Sequence, residues 1–135
     1  MKNSFITDIS KLIYRVSVAS FMLTHGFGKF KLLLSGNLDK FADPLGMGPE
    51  ISLILAVGAE FFASIAIIIG FKTRLATIPI VFTMGVAAFV VHGSDPFSVK
   101  EFALLYMVAF IGIAIMGSGK YSIDYLISKY LRKNK

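Results

Sequence analysis

The chain contains no cysteine, and charged residues are scarce along most of its 135 residues. Without cysteine there is no disulfide, no thiolate nucleophile and no cysteine ligand for an iron–sulfur centre or a zinc site. The N-terminus also lacks the short apolar core and small-residue cleavage site of a removable signal peptide, so we expect its apolar stretch to be retained as a helix. No periodic array of soluble repeats is evident. These absences exclude thiol-based chemistry and repeat architectures.

The chain is rich in apolar residues. They make up 56% of it, the mean hydropathy is +0.74, and several long runs hold almost no charge. Such a composition is typical of an integral membrane protein, and the length predicts a single domain over residues 1–135. The net charge of +6 comes mostly from Lys and Arg in tails and short loops. It therefore indicates orientation in a lipid bilayer and no nucleic-acid partner.

Four apolar stretches predict four transmembrane helices, because about 20 residues at ~1.5 Å each cross a hydrocarbon core of ~30 Å. The predicted fold class is all-α, a four-transmembrane-helix bundle, with Asp8 or Ser10 capping the first helix. Periodicity over 38–45 adds a short interfacial helix in the first loop, and the pattern from Ser122 adds a C-terminal amphipathic helix. The predicted spans are about 11–34, 51–71, 75–92 and 97–117.

The distribution of Lys and Arg predicts how the bundle is oriented. Nine of them fall on the side that holds both termini and four on the other, with Arg15 counted as intramembrane. Positive charge accumulates on the cytoplasmic side of membrane proteins. We therefore expect a protein of the plasma or inner membrane with both termini in the cytoplasm.

The most informative residue is Glu60, the single charge in the run from Ile51 to Phe71. A lone ionised side chain near mid-membrane costs roughly 2.5–3.5 kcal/mol on insertion scales, so a partner is expected. We predict a polar pocket in the middle-to-outer part of the bundle. Two alternatives remain: Glu60 is only a packed, paired or protonated bundle residue, and Lys29 only snorkels to the headgroups. The other candidate pocket residues are Arg15, His25, Lys29, His92 and Glu101.

Within this set we assign different roles. Glu60 and His25 are the candidate catalytic residues, because a carboxyl and an imidazole at similar depth can exchange a proton. Lys29 is a second candidate partner for Glu60, and Arg15 lies deeper with a side chain long enough to approach it. No metal site is predicted, because no carboxylate–histidine cluster has tight spacing. A haem held by His25 and His92 is disfavoured by a depth difference of ~5 Å.

Several motifs of the chain resemble the DoxX family of small four-helix membrane proteins. The resemblance covers most of the chain and implies a four-helix inner-membrane protein. The family takes its name from a subunit associated with a terminal quinol oxidase, and relatives are commonly labelled oxidoreductases, some linked to redox or oxidative-stress partners. The motifs are Arg15 followed by HGFGK (His25 to Lys29), GAEFFASIAIIIGFKTRLA (Gly58 to Ala76), Glu101-Phe102-Ala103 and GSGKYSID (Gly117 to Asp124).

The resemblance and the pocket together favour a redox-associated membrane subunit that binds a quinone, a quinol or a similar small apolar molecule between its helices. No residue here carries electrons alone, so a redox partner subunit must supply the redox centre, and the sequence leaves open whether the chain is an enzyme. One alternative is a non-enzymatic scaffold or assembly partner, with Arg15 and Glu60 holding the bundle together. Another is a small transporter that works as a homo-oligomer, since four short spans leave little room for a pore in one subunit.

Overall fold

The computed structural model describes residues 2–134, and this part of the chain is helical with connecting turns and no strand. The all-α fold class is therefore as predicted. A 3₁₀ turn at Leu38–Lys40 lies in the first loop. The helices are α1 (Lys2–Ser35), α2 (Pro49–Ile69), α3 (Thr73–Val91), α4 (Phe97–Met116) and α5 (Ile123–Lys133).

Three of these helices are long and apolar enough to cross a membrane. They are α2, α3 and α4, with 21, 19 and 20 residues, which gives each a length of roughly 30 Å. By length and composition, these three helices are those of an integral membrane protein. The first helix has 34 residues, but the polar side chains along it set it apart from the other three.

Two local predictions were wrong. The first helix begins at Lys2 and not at a cap near Asp8 or Ser10. Lys120 contacts both Ser4 and Asp8 and so joins these early turns to the α4–α5 link. The predicted interfacial helix over 38–45 is reduced to the 3₁₀ turn. The chain after this turn instead folds around the side chain of Asp43, which accepts hydrogen bonds from residues further along.

Both α2 and α3 contain one widened turn of π-helix, at Gly58–Phe62 and Ala87–Val91. In each, the hydrogen bond spans five residues, from Ala63 N–H to Gly58 O and from His92 N–H to Ala87 O. Turns of this kind are rare inside α-helices and are frequent at functional sites. Both segments are therefore candidates for a place in a functional site.

A continuous apolar core joins the four longer helices. Side chains of α1 and α2 pack there against those of α3 and α4, and Gly26 of α1 lies against the backbone of Glu60 and Phe61. Small residues at such a crossing allow backbones to approach closely in lipid. The fully buried core residues include Ala19, Met22, Ile67, Ile80, Phe110 and Ile113.

Candidate functional site

Lys29 of α1 and Glu60 of α2 form an ion pair, in which Lys29 Nζ donates a hydrogen bond to Glu60 Oε2. Glu60 is only 2% exposed, whereas the side chain of Lys29 is 28% exposed. Glu60 lies in the middle of the π turn at Gly58–Phe62, beside the crossing at Gly26. The pairing offsets the cost of desolvating a carboxylate inside an apolar bundle.

The ion pair lies in the wall of a cavity of about 390 Å³ between α1, the first loop, α2 and α3. Nearly all the other residues around the cavity are apolar, and both π turns contribute to it, through Ala59 and Glu60 on one side and Ala87 and Val91 on the other. Its volume falls in the range of sites for small molecules, which are apolar with a few polar groups that fix orientation. The arrangement suits a small apolar molecule that carries a hydrogen-bonding group.

Asp43 holds the first loop over this cavity. Its Oδ1 accepts hydrogen bonds from Met47 N–H at 2.9 Å and from Ser52 Oγ at 2.8 Å, and its Oδ2 accepts one from Gly48 N–H at 2.9 Å. Led by the bond from Gly48, these donors hold the pKa of Asp43 below its ordinary value. Since Met47 and Ser52 both line the cavity, the Asp43 carboxylate positions part of its wall.

Arg15 belongs to a different cluster. The Arg15 side chain is buried, its Nη2 donates to the Tyr121 carbonyl at 2.8 Å, and Gly70 leaves no room for a side chain beside it. Asp124, which interacts electrostatically with Arg15, accepts from Lys72 N–H at 2.7 Å and Thr73 N–H at 3.0 Å. Arg15 therefore joins α1 to the α2–α3 turn and the start of α5, and the structure does not bring it to Glu60.

The remaining candidates lie apart from the ion pair. His25 is exposed on α1, with its ring edge-on to Phe102 and Tyr106 at centroid distances of 5.3 and 5.8 Å. His92 follows α3 and pairs through Nδ1 with Asp95 at 2.7 Å. Glu101 is exposed near the start of α4. Of the six predicted site residues, the structure brings together Lys29 and Glu60.

Sequence reasoning did not identify Asp43 as the residue that shapes the first loop. The signal was present in Asp43-Pro44 followed by Gly46 and Gly48, because Asp before such residues favours turns in which its side chain binds nearby backbone N–H groups. The sequence also places the small residues Ala56 and Ala59 beside Glu60 on one helix face, a pattern that indicates close helix packing. In the structure they line the cavity next to Glu60.

Comparison with known proteins places these features in a family. The family profile named DoxX matches residues 10–93, which include Lys29, the first loop and Glu60. The chain is 29% identical over 131 residues to the inner membrane protein YqjF of Escherichia coli strain K12, with 92% of this chain and 96% of that protein covered. It is 28% identical over 96 residues to a protein of Haemophilus influenzae named only as uncharacterized, with 67% of this chain and 64% of that protein covered.

No solved structure matches the chain. The family match therefore rests on the sequence, and it extends across more than half of the chain, through α1, α2 and α3. The three apolar helices agree with it, since DoxX-type relatives include an inner membrane protein. The chain belongs to the DoxX family of membrane proteins.

Proposed function

We propose that this protein is a redox-associated subunit of the inner membrane that binds a quinone, or a similar small apolar molecule, in the cavity beside Lys29 and Glu60. The observation that carries the proposal is one ion pair set in the wall of an otherwise apolar cavity of about 390 Å³. A quinone has the matching chemistry, because its ring is apolar and its carbonyl oxygens accept hydrogen bonds. The quinol form offers hydroxyl donors to the carboxylate.

The two charged residues have distinct tasks in this proposal. An ammonium group has three N–H donors, so Lys29 can hold Glu60 and also donate to a ligand carbonyl. Glu60 accepts a hydrogen bond or a proton from a hydroxyl of the reduced form. Oxidation of a quinol to a quinone releases two protons and two electrons, of which Glu60 accepts one proton and solvent the other. The electrons pass to a redox partner subunit, since the side chains lining the cavity in the described part of the chain carry none.

The proposal includes four membrane crossings, with α1 as the fourth. At ~1.5 Å per residue this helix is about 51 Å long, more than the ~30 Å that a crossing requires. Its two inward polar groups, Arg15 and Lys29, have partners within the bundle. The excess of Lys and Arg on the side of the termini supports a cytoplasmic location for both ends.

Binding of quinone analogues to the purified protein tests the proposal. Glu60→Gln removes the charge and leaves a side chain of similar shape, and we expect it to weaken binding about tenfold or more, as for loss of a charged hydrogen-bond partner. Glu101→Gln is the matched control, because Glu101 is exposed and does not line the cavity. Absent binding, or equal binding by the wild type and Glu60→Gln, would contradict the proposal.

A second candidate is a non-enzymatic scaffold, and one observation favours it. The Lys29–Glu60 pair lies next to the tight crossing at Gly26, where it fastens α1 to α2. If that is its whole role, Glu60→Gln lowers the amount of folded protein. Any activity of an associated complex then falls only in proportion to that amount. A loss of ligand binding per folded molecule separates the first candidate from this one.

A further inference from the structure

A second concave site lies at the opposite end of the apolar helices from the first loop. It is a groove of about 720 Å³ where the N-terminal turns of α1, the α2–α3 turn, the end of α4 and the helix α5 meet. We call it the basic groove. Thr73, the first residue of α3, and Met116, the last residue of α4, both line it. Since these residues lie at the ends of apolar helices of membrane-spanning length, we place the groove at the edge of the hydrocarbon layer.

Positive charge dominates this groove. Its lining includes Lys11, Lys72, Arg74, Lys120 and Arg132 and only two carboxylates, Asp8 and Asp124. Both carboxylates have other partners: Asp8 pairs with Lys120 at 3.2 Å, and Asp124 accepts the backbone N–H groups of Lys72 and Thr73. Within the described residues, the side chains of Lys11, Lys72 and Arg132 have no carboxylate partner. Their charge remains available to an anion.

Thr73 supplies an independent indication of a ligand. Thr73 is 1% exposed, and its hydroxyl oxygen has no hydrogen-bond partner in the described part of the chain. A buried polar group without a partner is destabilising, and native structures seldom leave one in that state. Thr73 is also a lining residue of the basic groove. An anion in the groove would accept a hydrogen bond from this hydroxyl and so supply the missing partner.

Apolar side chains identify the class of anion. Leu75 and Met116, which are 62% and 39% exposed, line the groove beside its cations. Cations next to exposed apolar groups at a membrane boundary match a lipid, whose charged headgroup continues into acyl chains. Basic pockets between transmembrane helices are known to hold anionic headgroups. We propose that the basic groove binds the phosphate headgroup of an anionic phospholipid, with the acyl chains lying along Leu75 and Met116.

The test measures binding of phosphatidylglycerol, phosphatidylcholine and inorganic phosphate to the detergent-purified protein, by native mass spectrometry and by the shift in Tm. We expect phosphatidylglycerol to bind and raise Tm more than phosphatidylcholine. Each Lys or Arg near an anionic surface contributes about fivefold in affinity, so Lys72→Gln and Arg132→Gln should each weaken binding by about that factor. Lys31→Gln and Lys40→Gln are the matched controls, because they remove the same charge from exposed positions outside the basic groove.

Thr73→Val provides a second readout. It removes the unpaired hydroxyl at nearly constant shape, so we expect Tm to rise in the lipid-free protein while phosphatidylglycerol affinity falls about two- to tenfold. Equal binding of the two phospholipids, equal losses in the control variants, or unchanged affinity in Thr73→Val would overturn the proposal. Inorganic phosphate that competes fully with the lipid would assign the groove to a soluble anion and overturn the lipid assignment.

Discussion

Gly26 of α1 lies directly against the backbone of Glu60, so closely that a methyl group at this glycine would collide with the carbonyl carbon and oxygen. The two helices meet at the same level as the buried carboxylate and its lysine partner. A change at Gly26 therefore acts on the ion pair without altering either charged residue.

Replacement of Gly26 by Ala tests this contact. We expect Gly26→Ala to separate α1 from α2 and to destabilise the protein by about 1–3 kcal/mol, the usual cost of overpacking. Binding of any cavity ligand should weaken as well, because Lys29 moves with α1. Gly28→Ala is the control, since a Cβ there meets no atom within 4 Å. Thermal unfolding in detergent measures both variants, and similar Tm values for the two would contradict the interpretation.

The two halves of the ion pair should differ in their effect on stability. Lys29→Met leaves a 2% exposed carboxylate without its partner, and we expect a cost of about 2 kcal/mol or more. Glu60→Gln leaves a lysine whose side chain is 28% exposed and still partly solvated, so its cost should be smaller. The double variant should recover part of the loss seen in Lys29→Met. A larger loss in Glu60→Gln, measured by the same unfolding assay, would show that the desolvated carboxylate is not the dominant cost.

The lowered pKa of Asp43 predicts that the stability of the first loop depends on pH. Its pKa is lower in the folded protein than its ordinary value of 3.8, so its contribution to stability is complete above that value and is lost as the pH falls through the lower folded pKa. We expect the loop to be unchanged between pH 7 and pH 5 and to loosen only well below pH 4. Hydrogen exchange at the amides of Met47 and Gly48 reports this directly. Asp43→Asn should accelerate exchange at neutral pH, and unaltered exchange in that variant would contradict the assignment.

Asp124 ties α5 to the beginning of α3 through two backbone hydrogen bonds. Asp124→Ala removes both bonds and the opposite charge that acts on Arg15, and we expect a loss of about 1–3 kcal/mol. Asp39→Ala, in the exposed 3₁₀ turn, is the control. Equal stability of the two variants would mean that the Asp124 contacts contribute little.

The sequence predicted the three apolar helices well but the residues of the site only in part. Long apolar runs predict α2, α3 and α4 to within a few residues, because helix length in lipid is set by bilayer thickness. The predicted C-terminal amphipathic helix is α5, and Ser122, where its pattern starts, caps it by accepting a hydrogen bond from Tyr125 N–H at 3.2 Å. Depth along the helices selected Lys29 as one possible partner of Glu60. It also selected His25, because depth alone does not give the rotation of a helix.

What the sequence did not predict includes both long-range and local contacts. The early turns of α1 contact Lys120, more than 100 residues away, whereas the first loop is shaped by Asp43, which accepts hydrogen bonds from residues four, five and nine positions further along. The π turn around Glu60 has no compositional marker comparable to a proline or a cap. Helical periodicity describes neither the contacts between helices nor the side-chain hydrogen bonds that shape a loop.

The Arg15 cluster has a consequence for any shortened version of this protein. The guanidinium of Arg15 depends on the carbonyl of Tyr121, and the first N–H groups of α3 depend on Asp124, yet both residues lie beyond the region matched by the DoxX profile. A truncation at the profile boundary removes the whole of α4 as well as the acceptor of a buried cation on α1. A shorter deletion that begins at Tyr121 spares every apolar helix, and it still removes the carbonyl that Arg15 binds and the carboxylate that binds the first N–H groups of α3.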